Sequence, residues 1–237
     1  MHGAIAGEII GSAFAKLPIK TTQFELLGEN SCMTDDSVLT VATAYAILTN
    51  GDYGGAYRKW GKIYANAGYE PGFLRWLFLE GSGPYATTGN GTAKRVSPVG
   101  WAFNSVKEVL RQAELSALVT HQDPEAVKGA QAVAMAVFMG RTGSDNACIK
   151  KELEGRFSYD LSTPLNTIRP DYTADESCKG SVPQALRAFL ESDNWETSIR
   201  NAISLGGDSK SQSAISGSVA EATFSGVPRK IWKECRT

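Results

Sequence analysis

The sequence has only two histidines and no closely spaced cysteines, which limits the chemistry that it can support. Its four cysteines, Cys32, Cys148, Cys178 and Cys235, stand far apart without a CxxC pair, which argues against a zinc knuckle or a disulfide framework. Cys178 lies in a loop-like stretch, yet only His2 and His121 are available as imidazole partners. A structural role for Cys178 is therefore favoured over a nucleophilic one.

Charge of one sign and long hydrophobic runs are also lacking. The 237 residues carry 24 basic and 25 acidic side chains, which gives no reason to expect a nucleic-acid or membrane partner. No apolar stretch reaches the roughly 18 residues of a membrane helix. The N-terminal apolar run 4–17 is interrupted by Glu8 and has no basic leader. We expect a cytoplasmic protein, compatible with a monomer, with one domain over residues 1–237.

Apolar residues recur at spacings of three and four in several segments, which is typical of amphipathic helices. The segments are 38–48, 106–118, 125–139, 182–190, 195–205 and 211–224. Because no strictly alternating stretch is bounded by hairpin turns, an all-α domain is predicted. Glycine- and proline-rich loops are predicted at 50–55, 81–91, 162–170 and 206–207, and the charged segment 150–179 is predicted to be a surface excursion.

Two adjacent aspartates form the first candidate functional motif. Asp35 and Asp36, flanked by Thr34 and Ser37, precede the helical pattern at 38–48. Aspartate at a helix start is commonly a cap, but a cap needs only one of them. Neighbouring carboxylates repel each other unless a cation or a shared proton lies between them, so Mg²⁺ or Mn²⁺ is the alternative.

Two further segments combine glycines with polar side chains. The sequence Gly206-Gly207-Asp208 joins two predicted helices, and it is either a capped turn or a place where a helix start meets an anion such as phosphate. The sequence 89–100 places an Asn-Gly turn before Lys94 and Arg95. That segment is either a plain turn or a phosphate-binding loop.

The order of the motifs resembles the ADP-ribosylglycohydrolase family from end to end. The motifs are Gly7-Glu8-Ile9-Ile10-Gly11-Ser12, Thr34-Asp35-Asp36-Ser37, Gly89-Asn90-Gly91 with Arg95-Val96-Ser97-Pro98, Val119-Thr120-His121 with Pro124-Glu125-Ala126, Gly180-Ser181-Val182-Pro183-Gln184-Ala185, and Asn201-Ala202-Ile203-Ser204-Leu205-Gly206-Gly207-Asp208. A succession of this kind is far more specific than any lone glycine pattern.

The resemblance implies an all-α fold with a cleft that holds two Mg²⁺ or Mn²⁺ ions and binds ADP-ribose attached to an arginine, serine or similar acceptor. It implies hydrolysis at the anomeric carbon of the ribose, with carboxylates acting on protons. The expected partner is ADP-ribose or an ADP-ribosylated protein. Tyr85 or Tyr172 is expected to cover the adenine. Motif matching gives metal positions at Thr34, Asp35, Asp36, Asp208 and Ser211, and ligand positions at Gly89, Asn90, Gly91, His121, Ser181 and Gly207.

The sequence departs from the family pattern where the metals would lie. Lys210 stands at the position of an aspartate that bridges both metals, Ser211 at that of a threonine, Ala15 at that of a glutamate, and Glu8 at that of an aspartate. A lysine cannot be an anionic ligand, and its ammonium repels a nearby cation.

One arrangement that would balance the charge of these carboxylates places the Lys210 ammonium where a divalent ion would otherwise lie, paired with Asp36 and Asp208. A neutral Lys210 acting as a general base is disfavoured, because carboxylates raise the pKa of a lysine. Asp35, Asp36 and Lys210 are the candidate catalytic residues. We expect one ion or none in place of two. The alternatives to a hydrolase are a catalytically silent ADP-ribose-binding relative and a same-fold enzyme repurposed for another nucleotide reaction.

Overall fold

The computed structural model describes residues 1–49 and 51–236, and these residues form fourteen α-helices with no β-sheet. The all-α prediction is thus confirmed. None of the helices in the described residues combines the length and the apolar character needed to span a bilayer. The helices are α1 (His2–Ser12), α2 (Asp35–Thr49), α3 (Tyr53–Ile63), α4 (Pro71–Phe78), α5 (Gly91–Arg95), α6 (Ser97–Ala102), α7 (Val106–Leu118), α8 (Pro124–Arg141), α9 (Asn146–Phe157), α10 (Leu165–Ile168), α11 (Cys178–Leu190), α12 (Trp195–Ile203), α13 (Ser209–Thr223) and α14 (Arg229–Glu234).

The segments with clear apolar periodicity became α2, α7, α8, α11, α12 and α13, with ends shifted by a few residues. Other expectations were wrong. The loop predicted at 50–55 includes Asn50, which lies outside the described residues, and its end is already helical because α3 begins at Tyr53. The excursion predicted at 150–179 contains most of α9, whose Leu153 and Phe157 are buried. Cys178 is the first residue of α11 and is fully buried, not in a loop.

The centre of the fold is α8, whose five alanines are all buried. Ala126, Ala130 and Val133 are among its buried residues, and α5, α6, α7, α9, α11 and α13 all pack against it. Because these side chains are short, six helices can pack closely against α8. A second apolar cluster, built around Tyr57 and Leu77, joins α2, α3 and α4.

A glycine stripe brings α1 against α13. A Cβ atom added to Gly7 would lie 2.8 Å from the carbonyl carbon of Ser213, and one added to Gly11 would lie 2.8 Å from the Cα of Lys210. Only glycine allows such close approach of two backbones. The contact is reinforced because Ser213 Oγ donates to the Gly7 carbonyl at 2.7 Å and Ser209 Oγ donates to the Gly11 carbonyl at 2.8 Å. It fixes Lys210, in the first turn of α13, beside the end of α1.

Candidate functional site

A polar cleft lies where the second apolar cluster meets the glycine turn before α5. Its volume is about 210 Å³. Leu39 and Phe73 form part of one wall, and the turn 89–91 forms another. The remaining lining residues are Asp35, Gly68, Glu70, Tyr85, Lys94, Arg95, His121, Glu176, Asp208 and Lys210.

Glu8 organises the first turn of α2 through hydrogen bonds. Its carboxylate accepts hydrogen bonds from the Thr34 backbone N–H at 2.8 Å, from the Thr34 hydroxyl and from the Ser37 hydroxyl. The side chain is fully buried. Burial raises the pKa of the Glu8 carboxyl, although these hydrogen bonds oppose the shift. Glu8 therefore positions the turn through Thr34 and Ser37, and the Thr34 hydroxyl is already engaged.

Two ammonium groups contact the adjacent aspartates. Lys210 Nζ lies 3.0 Å from Asp35 Oδ1, and Lys94 Nζ lies 2.6 Å from Asp36 Oδ1 and 4.0 Å from Asp35 Oδ2. The predicted pairing of Lys210 with Asp36 and Asp208 is wrong in detail, because Lys210 pairs with Asp35 and the unforeseen Lys94 pairs with Asp36. Lys94 reaches this position because it projects from α5 towards the start of α2, two helices that pack together.

The pKa shifts of these groups follow from burial and from their neighbours. Burial alone would raise the pKa of Asp35, but the Lys94 and Lys210 ammonium groups lower it below its ordinary value. Burial raises the pKa of Asp36 to about 7, and the charge of Asp35 adds to the shift. Burial lowers the pKa of each lysine, yet Asp36 and Asp35 outweigh it and raise both above their usual range. Lys94 and Lys210 are therefore charged, which leaves no neutral lysine for a general base.

Asn90 ties together three distant segments at the edge of the cleft. Its Nδ2 donates to Ser181 Oγ and to Asp208 Oδ2, both at 3.0 Å, and its backbone N–H donates to the Glu176 carbonyl at 2.8 Å. Asp208 also caps α13, because its Oδ1 accepts from the Ser211 N–H at 3.4 Å. Ser181 is fully buried and does not line the cleft, so its position is that of a support for Asn90.

Gly207 and Tyr172 belong to the packing behind the site. A Cβ atom on Gly207 would lie 2.9 Å from Gln212 Oε1 and closer still to the Tyr172 ring. The Tyr172 hydroxyl donates to the Gly180 carbonyl at 3.0 Å and accepts from Gln212 Nε2 at 2.9 Å. Tyr172 and Gly207 therefore do not line the cleft, whereas Tyr85 does.

His121 faces the glycine turn. Its ring lies 5.8 Å from that of Tyr85, and a Cβ atom on Gly91 would lie 3.6 Å from His121 Nε2. Burial, followed by the charges of Arg95 and Lys94, lowers the pKa of His121 to about 3, so the ring is neutral at pH 7. Nδ1 lies 2.8 Å from Thr120 Oγ1, whereas Nε2 is buried without a hydrogen-bond partner.

The cations after the glycine turn point inward. Arg95 is buried, its guanidinium lies 4.2 Å from the centre of the Tyr57 ring, and it donates to Thr120 Oγ1 at 2.7 Å. Because Arg95 is held in the core and Lys94 is paired with Asp36, neither is free to serve a plain phosphate-binding loop. The cleft residues Glu70 and Glu176 were missed by sequence reasoning, since no motif surrounds either of them.

Only some of the polar atoms at this site suit a divalent metal. Both carboxylate oxygens of Asp36 and Ser211 Oγ are buried without a hydrogen bond, which would suit a cation, and the ion pair of Asp36 Oδ1 with Lys94 is the contact that Asp36 makes instead. However, Lys94 and Lys210 already contact the Asp36 and Asp35 carboxylates. No group of three or more His, Cys, Asp or Glu side chains in residues 1–49 and 51–236 is arranged to hold an ion. The residues in this arrangement do not fit a pair of divalent cations.

The helical fold has a counterpart among solved structures. A solved structure described as an "ADP-ribosylglycohydrolase-related protein complex" superposes with a TM-score of 0.74 at 21% identity, covering 99% of this chain and 93% of the other. The ADP-ribosylglycohydrolase family model matches residues 1–237, and the chain belongs to that family. An uncharacterized protein of Archaeoglobus fulgidus is 30% identical over 159 residues, which are 61% of this chain and 52% of the relative. The chain therefore spans about half the length of that relative.

Proposed function

We propose that the cleft binds ADP-ribose or ADP-ribosylated protein, and that the associated reaction is hydrolysis of the N- or O-glycosidic bond between ADP-ribose and its acceptor. The observation that carries the proposal is the meeting of the turn 89–91 and His121 with Asp35 and Lys210 across one cleft. Family membership supports the ligand class.

The chemistry of the walls suits a ribose carrying a phosphate. Arg95 donates to Thr120 Oγ1, which favours donation of the Thr120 hydroxyl hydrogen to His121 Nδ1. The ring proton then lies on Nε2, where it can be donated to a phosphate or hydroxyl oxygen. Asp35 and Asp208 offer acceptors to ribose hydroxyls, and Lys210 offers a cation to a phosphate.

The size of the cleft limits how much of the ligand is enclosed. The volume of about 210 Å³ is below the roughly 300–1,000 Å³ of clefts that surround a drug-sized ligand. We expect the distal ribose and its phosphate inside and the adenosine along the rim. Tyr85, whose hydroxyl donates to Glu70 Oε1 at 2.8 Å, is the aromatic expected against the adenine.

A catalytically silent ADP-ribose-binding protein is the second candidate. It is favoured by the ammonium groups beside both aspartates and by Ala15, which contributes no carboxylate. Both candidates bind ADP-ribose, but only the hydrolase releases it from a modified peptide.

Titration calorimetry with ADP-ribose tests binding, and chromatography of ADP-ribosylated arginine and serine peptides tests hydrolysis. Gly91→Val, which places methyl groups in the cleft, is expected to weaken binding by at least about tenfold. Gly155→Val on the exposed face of α9 is the matched control and should leave affinity unchanged. Equal binding by both variants would place the ligand elsewhere.

A further inference from the structure

We infer that the ammonium groups of Lys94 and Lys210 take the places in which divalent cations would balance Asp35 and Asp36, so that the cleft binds its ligand without a divalent metal. The identity of the ligand rests on the proposed function. The metal requirement can be measured without any ligand.

Each aspartate has its own ammonium, so the buried charges are balanced. Lys94 Nζ lies 2.6 Å from Asp36 Oδ1, and Lys210 Nζ lies 3.0 Å from Asp35 Oδ1. The neighbouring carboxylates have other partners, since Glu8 accepts from the turn at 34–37 and Asp208 accepts from Asn90. The two adjacent aspartates therefore do not leave the uncompensated negative charge that would draw in a dication.

The Lys94 ammonium is held in place by the fold. Its side chain is 12% exposed, and that of its partner Asp36 is 1% exposed. The helix that carries it is fastened at its start by Asn90 and along its length by Thr92, whose hydroxyl donates to the Ala126 carbonyl at 2.6 Å. A dication at Asp36 would have to expel this ammonium from a nearly closed position or be repelled by it at short range.

The Lys210 ammonium is the more accessible of the two. Its side chain is 24% exposed and it lines the cleft. An ammonium carries three N–H donors, and Asp35 takes one of them, so the others can reach a ligand phosphate or hydroxyl. Lys210 would thus join the ligand to Asp35, as a bridging cation would. An ammonium balances charge and orients the ligand, but it activates water far less than a divalent metal does.

The first arm of the test uses Mn²⁺ alone, with paramagnetic resonance of the free ion as the readout. Wild-type protein is expected to take up no stoichiometric Mn²⁺, whereas Lys210→Asp combined with Lys94→Met should gain at least one site. Lys151→Met, on the exposed surface of α9, is the control and should behave as wild type. Stoichiometric uptake by the wild-type protein at a site that competes with Mg²⁺ and is lost in Asp36→Asn would overturn the inference.

The second arm titrates ADP-ribose in the presence of chelator and again with Mg²⁺. Wild-type affinity is expected to differ by less than about twofold, and Lys210→Gln should lose at least about tenfold in both conditions. Lys210→Gln removes the charge with a side chain that is one atom shorter and adds no carboxylate, so it serves if the aspartate variant does not fold. Binding abolished by chelator would refute the inference and leave the proposed function intact. Absence of binding in every condition would instead refute the proposed function, while the Mn²⁺ arm still reports on the lysines.

Discussion

Substitution of Gly7 by alanine should separate α1, which carries Glu8, from α13, which carries Lys210. A Cβ atom there would lie 2.8 Å from the Ser213 carbonyl carbon and closer to its oxygen. Because the obstacle is backbone, no side-chain rotation relieves it, and overpacking of this kind destabilises by about 1–3 kcal/mol. Weakening of the 2.7 Å hydrogen bond from Ser213 Oγ adds about 1 kcal/mol. The higher helix propensity of alanine returns about 0.5–1 kcal/mol.

The net expectation for Gly7→Ala is a loss of about 2 kcal/mol in unfolding free energy, or about 4–8 °C in melting temperature for a chain of this size. Urea and thermal unfolding followed by circular dichroism measure both quantities. Gly155→Ala is the matched control, because it lies in exposed α9 with open space around its Cβ, and it should be neutral or slightly stabilising. A Gly7→Ala variant within about 0.5 kcal/mol of wild type would contradict the backbone contact between α1 and α13.

Three further changes test the site. Asn90→Ala leaves Asp208 Oδ2 and Ser181 Oγ without their donor and should lower the unfolding free energy by about 1–3 kcal/mol, whereas exposed Asn66→Ala should change urea unfolding little. For His121, the folded pKa of about 3 lies below the ordinary 6.5, so the unfolded state binds the extra proton and stability falls as pH drops below 6.5. Between pH 7 and pH 5 this contributes a loss of about 2 kcal/mol, which His121→Gln should remove; unfolding curves with the same pH slope for both proteins would refute the shift. Glu8→Gln puts an amide donor against the donors of Thr34 and Ser37, which should disorder the start of α2 and lower the affinity for ADP-ribose. An unchanged affinity in calorimetry would show that Glu8 does not position the turn.

The helices that could be predicted from sequence are those with a regular apolar stripe. The pattern at 106–118 coincides with α7, whereas α1 has glycines on its buried face and so shows little apolar contrast. The face of α1 that packs against α13 consists of glycines, so only the structure shows that it is a packing face. Charged side chains dominate the composition of the segment 150–179, and they obscure the four-residue spacing of Leu153 and Phe157 that indicates a helix.

The motifs predict part of the cleft lining, whereas Glu70, Glu176 and the pairing of the charges could not be predicted. The structure places Asp35, Asn90 and His121 around one cleft, although they come from three separate motifs. Which ammonium meets which carboxylate depends on how α5 lies across α2, a long-range contact that motif order does not encode. The role of Lys94 is the clearest case. An Asn-Gly turn followed by cations is also typical of a phosphate-binding loop, so the sequence does not predict the ion pair of Lys94 with Asp36.

A crystal structure of the protein grown with ADP-ribose and Mg²⁺ would test most directly whether the cleft binds its ligand without a divalent metal. We expect a ribose between the turn 89–91 and Asp35, His121 Nε2 within hydrogen-bond distance of the ligand, and Lys94 and Lys210 still paired with the aspartates. Two Mg²⁺ ions between Asp35, Asp36 and Asp208 with both lysines displaced, or a ligand bound outside the cleft, would contradict this expectation.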